Sequence, residues 1–161
     1  MTLITSNPTR IGRPPSIVVI IALLLFLGAT ALAGGTAMVF GLGGGEIMLP
    51  DEWLETIPII DSWFLPGVVL GIGFGVGSLL TAYGVIRRPL WGWTSFLEQR
   101  TRQHWSWIAT VALGVGHVVW IFLELLFLPE MSWFHPLYGA VGLSLLVIPF
   151  LQSAREHLRT L

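Results

Sequence analysis

Glu124 is the one charged residue that falls clearly inside a long apolar stretch of this 161-residue chain, and His117 lies seven residues before it. At 100° per residue, seven steps close to within about 20° around a helix, so imidazole and carboxyl project from one face. Trp120 and Ile121 lie between them on that face. An intramembrane carboxylate is costly and marks a functional site by default. Such a pair can pass protons, bind a cation or polarise a lipid-like substrate. The same residues also have a structural use. Glu124 stands about 6 Å, one helical turn, from Leu128 and can reach the membrane surface from there. His117 can be a neutral hydrogen-bonding link between helices. His117, Trp120 and Glu124 form the candidate polar site; no catalytic residue, cofactor or metal is assigned.

The elements that hold these residues follow from composition. The chain is 54% hydrophobic and 11% charged, against about 25% charged in a soluble domain. The shortfall comes in long apolar runs, which excludes a soluble enzyme, a disordered chain and a nucleic-acid binder. With no cysteine, disulfides, thiolate zinc sites, iron–sulfur clusters and cysteine nucleophiles are excluded. There is no lysine, so no phosphate-binding G-x-x-x-x-G-K-[ST] loop exists, and Gly41–Gly45 (GLGGG) reads as a flexible helix exit.

A bilayer core about 30 Å thick takes about 20 apolar residues of helix. Stretches 16–40, 66–86, 107–128 and about 136–152 qualify, predicting one integral membrane domain over 1–161. Pro14 and Pro15 precede the first stretch and GLGGG ends it. Pro66 opens the second and Arg87-Arg88-Pro89 closes it. Pro129 stops the third, Pro136 starts the fourth, and Pro149 kinks or frays the fourth near its end. The basic residues Arg10, Arg13, Arg87, Arg88, Arg100, Arg102, Arg155 and Arg159 occupy only the two tails and the middle loop. Short cytoplasmic segments are enriched in arginine, so both termini are expected in the cytoplasm. Trp53, Trp63 and Trp133 then lie at the outer boundary and Trp91, Trp93, Trp105 and Trp107 at the inner one, as interfacial belts require. Arg10, Arg13 and the sequence Ala31-Leu32-Ala33 also suggest a cleaved signal peptide, but the apolar run continues to Phe40, beyond an ordinary signal core.

Ser62-Trp63-Phe64-Leu65-Pro66 is echoed by Ser132-Trp133-Phe134-His135-Pro136. Leu49-Pro50 is echoed by Leu128-Pro129, and Ala31-Leu32 with Gly35 by Ala112-Leu113 with Gly116. The order predicts two helical hairpins in a four-transmembrane-helix bundle, related as a parallel internal repeat. The competing explanation is that Trp and Pro gather at helix entrances in any membrane protein. Close packing needs small residues: Gly67, Gly71 and Gly75 on the second span, Gly28, Gly34 and Gly35 on the first, Gly114 and Gly116 on the third, and Gly139 and Gly142 on the fourth. These faces serve packing within the chain, a homo-oligomer seam, or a groove for a lipid tail or partner helix.

The acidic loop 42–65 carries Glu46, Asp51, Glu52, Glu55 and Asp61 without a positive charge, and lacks the spacing and central glycine of a calcium loop. Asp51 is expected to cap a short helix, Glu52 to Ile57, whose apolar side lies on the membrane or over the bundle mouth. Ser95-Phe96-Leu97-Glu98 has the form of a capping box. A helix running from there to Leu128 would exceed the bilayer, so it must protrude or break near Gln103. The nearby arginines can pair with anionic headgroups or serve only as topology determinants.

Segments 49–77, 82–93 and 120–146 resemble a widespread group of small uncharacterised bacterial four-span integral membrane proteins. The resemblance rests on Leu-Pro-x-x-Trp (Leu49 to Trp53), Pro66-Gly67, and Glu124 followed by Pro136-Leu137-Tyr138-Gly139. It implies a bacterial inner-membrane address and transfers no catalytic residue. Small multidrug transporters also have four spans and one membrane glutamate, but theirs sits in the first span, which here is uncharged.

The function expected first is a non-enzymatic accessory or oligomeric membrane component, partnered by the lipid bilayer and by further copies or a larger membrane complex. The second is a proton-coupled small transporter or channel using Glu124 and His117, and the third a lipid-binding or lipid-modifying protein. The transporter alternative predicts that Glu124→Gln abolishes proton flux in liposomes while the protein still folds; unchanged flux contradicts it.

Overall fold

The computed structural model describes residues 12–42, 51–58 and 60–160. The echo at Leu49-Pro50 and the residues Arg10, Glu46 and Gly43 to Gly45 lie outside them. Among the described residues the chain is all-helical. Helix α1 is Pro15–Phe40, α2 is Phe64–Arg87, α3 is Ser95–Thr101, α4 is Trp105–Phe127, α5 is Phe134–Val147 and α6 is Gln152–His157. α1, α2 and α4 are each long and apolar enough to cross a membrane.

Local chemistry sets these limits. Pro15 opens α1, where its fixed φ suits the first turn. Gly41 closes α1 in the left-handed conformation, φ 61°, which glycine adopts without a Cβ penalty. Trp63 and Trp133 stand at the N-caps of α2 and α5, so the Ser-Trp-Phe echo occupies the same place in both hairpins. Beyond α5, Pro149 sits in a 3₁₀ turn, Ile148–Phe150, and the helix ends. Phe134–Phe150 together reach about 27 Å from helical rises of 1.5 and 2.0 Å per residue, shorter than the other three.

α1 and α2 form one antiparallel pair and α4 and α5 a second; α2 also packs on α4, and α1 on α5. The first pair meets backbone to backbone. A Cβ built on Gly35 would lie 2.5 Å from the Gly71 nitrogen and 2.6 Å from the Gly67 oxygen. One on Gly67 would meet the Gly35 oxygen at 2.9 Å, and one on Gly75 the Leu32 nitrogen at 3.1 Å. Gly71 receives this contact and has room for a methyl group, the Gly35 Cα standing 3.7 Å from its ideal Cβ. The α2 stretch Val69–Val76, with glycine at 71, 73 and 75, winds as a π-helix. In the second pair a Cβ built on Gly114 would lie 2.6 Å from the Leu146 nitrogen, and one on Gly142 3.2–3.3 Å from Val118 and His117. A Cβ on Gly139 would meet, among the described residues, Ile121 alone, at 4.0 Å. Gly35 and Gly116, paired by the echo, do different work: Gly116 faces the Phe74 ring on α2.

One end of the helices is basic and tied together. α3 stops at Arg102, which takes the left-handed conformation, φ 56°, so the helix beginning at Ser95 breaks before Trp105. The backbone groups freed by the break bond to the C-terminal tail: His104 N–H donates to Leu158 O at 2.7 Å and Thr160 N–H to Arg102 O at 3.2 Å. Glu98 does not close the capping box on Ser95. Its Oε1 accepts instead from the Trp105 N–H, 3.1 Å away, because the break leaves that first-turn donor free. Thr94, not Ser95, holds the N-cap position of α3. His104 caps α4, accepting from the Ser106 N–H at Nδ1 and donating from Nε2 to Pro89 O at 3.1 Å. Burial pushes the His104 pKa down, which keeps this neutral tautomer. At the opposite, acidic end, Asp51 is not a cap but the first residue of a 3₁₀ turn, Asp51–Thr56. Thr56 clips that turn to α4 through a 2.7 Å bond to Phe127 O.

Packing this close gives a sharp contrast. Gly35→Ala places a methyl group against backbone that cannot rotate away and is expected to cost about 2–3 kcal/mol. Gly139→Ala is expected to be neutral or to gain up to about 1 kcal/mol. Unfolding in mild detergent measures both; equal losses would contradict the packing described.

Candidate functional site

His117, Trp120 and Glu124 come from successive turns of α4 and share one face of it, with Ile121. His117 is 2% exposed, and the edges of its ring contacts run to Phe74 on α2 and Tyr138 on α5, at centroid distances of 5.1 and 5.8 Å. Neither of its ring nitrogens has a hydrogen-bond partner among the described residues. One turn on, the Trp120 indole N–H donates to Glu124 Oε1 at 2.7 Å. This bond lies within one helix, at the i,i+4 spacing that brings side chains together.

The other carboxylate oxygen faces His135, a residue outside the candidate site expected from the sequence. His135 Nε2 stands 3.9 Å from Glu124 Oε2, beyond hydrogen-bond reach. His135 is buried, 2% exposed, and its Nδ1 lies 2.9 Å from the Ser132 N–H, which donates to it. That bond puts the ring proton of the neutral tautomer on Nε2, directed at the carboxylate. A signal was present in the sequence. In an antiparallel pair joined at Leu128 to Trp133, residues at similar distances from the turn face each other, as Glu124 and His135 do.

Two cavities meet at Met38, Trp120 and Glu124. One, of about 310 Å³, is bounded by Thr30, Gly34 and Met38 of α1, His117 and Glu124 of α4 and Tyr138 of α5. The second, of about 250 Å³, lies towards the acidic end between Met38, Trp63, Trp120, Glu124 and Phe127. Ile57, Pro58 and Ile60 of the acidic loop wall it, so the apolar side of that loop lies over the mouth between the helices. Phe26 stacks on Tyr138 at 5.8 Å and joins α1 to α5 below the first cavity. Further towards the basic end Ile17, Ile20, Leu24, Val85 and Leu145 are fully buried and close the interior.

Polar accounting singles out the same region. Among the described residues six buried side-chain nitrogen or oxygen atoms lack a partner. Four of them, Trp63 Nε1, both His117 nitrogens and His135 Nε2, belong to residues that wall these cavities or face Glu124. A buried polar atom left unpaired costs about 1–3 kcal/mol, so their concentration in one place calls for a functional account. The packing glycines stand elsewhere: Gly67, Gly71, Gly75 and Gly142 lie at helix–helix contacts, and Gly139 at a looser one.

Comparison with protein-family models, curated proteins and solved structures finds no match to this chain. The site therefore stands on its own geometry. It offers one carboxylate with a fixed orientation, several donors without acceptors and long apolar walls. Among the described residues no three histidine or acidic side chains cluster as a metal-ligand set.

The two histidines respond differently to removal. His117→Phe loses no hydrogen bond and keeps its aromatic contacts, so its melting temperature should match or exceed that of the wild type. His135→Phe forfeits the Ser132 bond and should lose about 1 kcal/mol. Thermal denaturation in detergent reads both, and the reverse order would contradict the partners assigned here.

Proposed function

We propose that this chain is a four-span integral protein of the bacterial inner membrane with both termini in the cytoplasm. In this reading it is a non-enzymatic component whose outer half holds a small amphiphile. The amphiphile is apolar along most of its length and carries a polar head that donates a hydrogen bond to the free Glu124 oxygen and accepts from the unpartnered donors of His117, His135 or Trp63. The observation that carries this reading is the gathering of unpartnered buried donors around one carboxylate between two apolar-walled cavities.

Several features support the membrane setting. The outward faces of the long helices are apolar, with Leu25, Ile72, Val119, Phe122 and Leu143 all exposed; soluble monomers rarely carry such surface over a large contiguous area. Arg13, Arg88 and Arg159 lie at one end, where Arg13 donates to Ile86 O and Arg88 to Arg159 O. Asp51, Glu52, Glu55, Asp61 and Glu130 lie in the connections at the other. That separation has the sense of the positive-inside rule. The fourth helix, about 27 Å long with its 3₁₀ turn, suits a bilayer locally thinned beside it.

The glycine faces that would favour a homo-oligomer are used inside the chain, with Gly35 on Gly67 and Gly71 and Gly114 on Leu146. Support accordingly moves from an oligomer seam to the cavity. A proton-coupled role draws on the same residues, since Glu124, His117 and His135 are three titratable groups in one region. It requires a second conformation, because the apolar layer from Ile17 to Leu24 gives those groups no route to the basic end.

Native mass spectrometry of protein extracted in mild detergent tests the proposal. One amphiphile per chain, above the bulk-lipid background, is expected with the wild type, with retention about tenfold lower in Glu124→Gln. No retained molecule, or equal retention by both proteins, would overturn it.

A further inference from the structure

The basic end holds a second site of different chemistry. Arg88 closes α2 and Arg102 closes α3, and both are left-handed, φ 49° and 56°; they are the only non-glycine residues with positive φ among those described. Glycine is the residue that fits this conformation without strain, yet arginine stands there twice. Arg159 is brought alongside by the antiparallel bridge between Gln103 and Arg159, and the Arg88 guanidinium donates to the Arg159 carbonyl at 3.0 Å. The three arginines wall one open cavity of about 970 Å³, together with Leu90 and Gln99.

Among the described residues none of these guanidinium groups lies in an ion pair. Glu98 borders the cavity but directs its carboxylate to the Trp105 N–H. Glu156, on the neighbouring helix, accepts from Gln152 at 2.7 Å. In the cavity lining Leu90 is 79% exposed, an apolar ledge beside a cationic hollow. Guanidinium groups match phosphate oxygens in a two-pronged geometry that a carboxylate-poor pocket leaves open.

We propose that Arg88, Arg102 and Arg159 form a site for the phosphate of an anionic phospholipid headgroup in the inner leaflet, with its acyl chains leaving over Leu90. This goes beyond the cavity at Glu124 and shares with it only the membrane orientation. Arg88→Gly/Arg102→Gly removes two guanidinium groups while giving both left-handed positions the residue that suits them, so the variant is expected to fold. Arg159→Gln is a second, independent variant.

Binding of dioctanoyl phosphatidylglycerol, dioctanoyl phosphatidylcholine and inorganic phosphate to the detergent-purified protein provides the test. The wild type should bind phosphatidylglycerol in preference to phosphatidylcholine, and about fivefold more weakly for each arginine removed. Glu124→Gln should bind it unchanged, which separates this site from the other. Equal binding of the two lipids, or equal binding by wild type, the double variant and Arg159→Gln, would overturn the proposal. Inorganic phosphate competing as well as the lipid would replace the headgroup with a free phosphate.

Discussion

The backbone of α1 touches the backbone of α2 at Gly35, and the placement of the other helices depends on that contact. With no side chain at Gly35 or Gly67, the two helices close until peptide groups limit them. In lipid, where apolar surface gains nothing by leaving the solvent, such contact is the principal source of association. Drawing α1 against α2 turns its other side, Leu27, Ala31, Gly34 and Met38, towards α4 and α5. Those helices are in turn pinned to each other at Gly114 and Gly142. The two pairs meet closely at the basic end, where Gly84 packs on Trp105, and elsewhere through bulky rings such as Phe26, Phe74 and Tyr138, with space for the cavities between them.

The two ends of the helices solve different problems. At the basic end the chain breaks a helix at Arg102 and repairs the exposed backbone with its own C-terminal tail and with Glu98 and His104. That end is tied by hydrogen bonds between distant parts of the chain, and its arginines remain uncommitted to carboxylates among the described residues. The acidic end is covered by a loop whose Ile57, Pro58 and Ile60 lie across the opening and whose Thr56 is bonded to the end of α4. A net charge of −1 thus hides a strongly polarised molecule, with Glu124 between the two regions.

Much of this was legible in the residue order. Apolar length and proline stops located the helices, and the need to fit a membrane indicated a break near Gln103. The seven-residue step placed His117 and Glu124 on one face. What escaped depended on contacts between elements distant in sequence. His135 entered the site because antiparallel pairing sets it opposite Glu124, which no periodicity within a single helix reports. Glu98 has the spacing of a capping box, but the broken helix offered it a stronger claim in the orphaned Trp105 N–H. Gly139 keeps the spacing of a packing glycine and lies at the loosest of the contacts, because the distance between helix axes, rather than the motif, decides whether a Cβ fits.

In the proposed membrane orientation, the cavity beside Glu124 opens towards the acidic, outer end and stops at the apolar floor of Ile17, Ile20 and Leu24. The chain has no cysteine, so single substitutions report accessibility without background. Thr30→Cys and Met38→Cys, both on the cavity wall, should react with a small membrane-impermeant cationic thiosulfonate added outside intact cells. Ile20→Cys, from a fully buried position in the floor, should be protected. Protection of both wall positions, or reaction of Ile20→Cys at the same rate, would contradict the account.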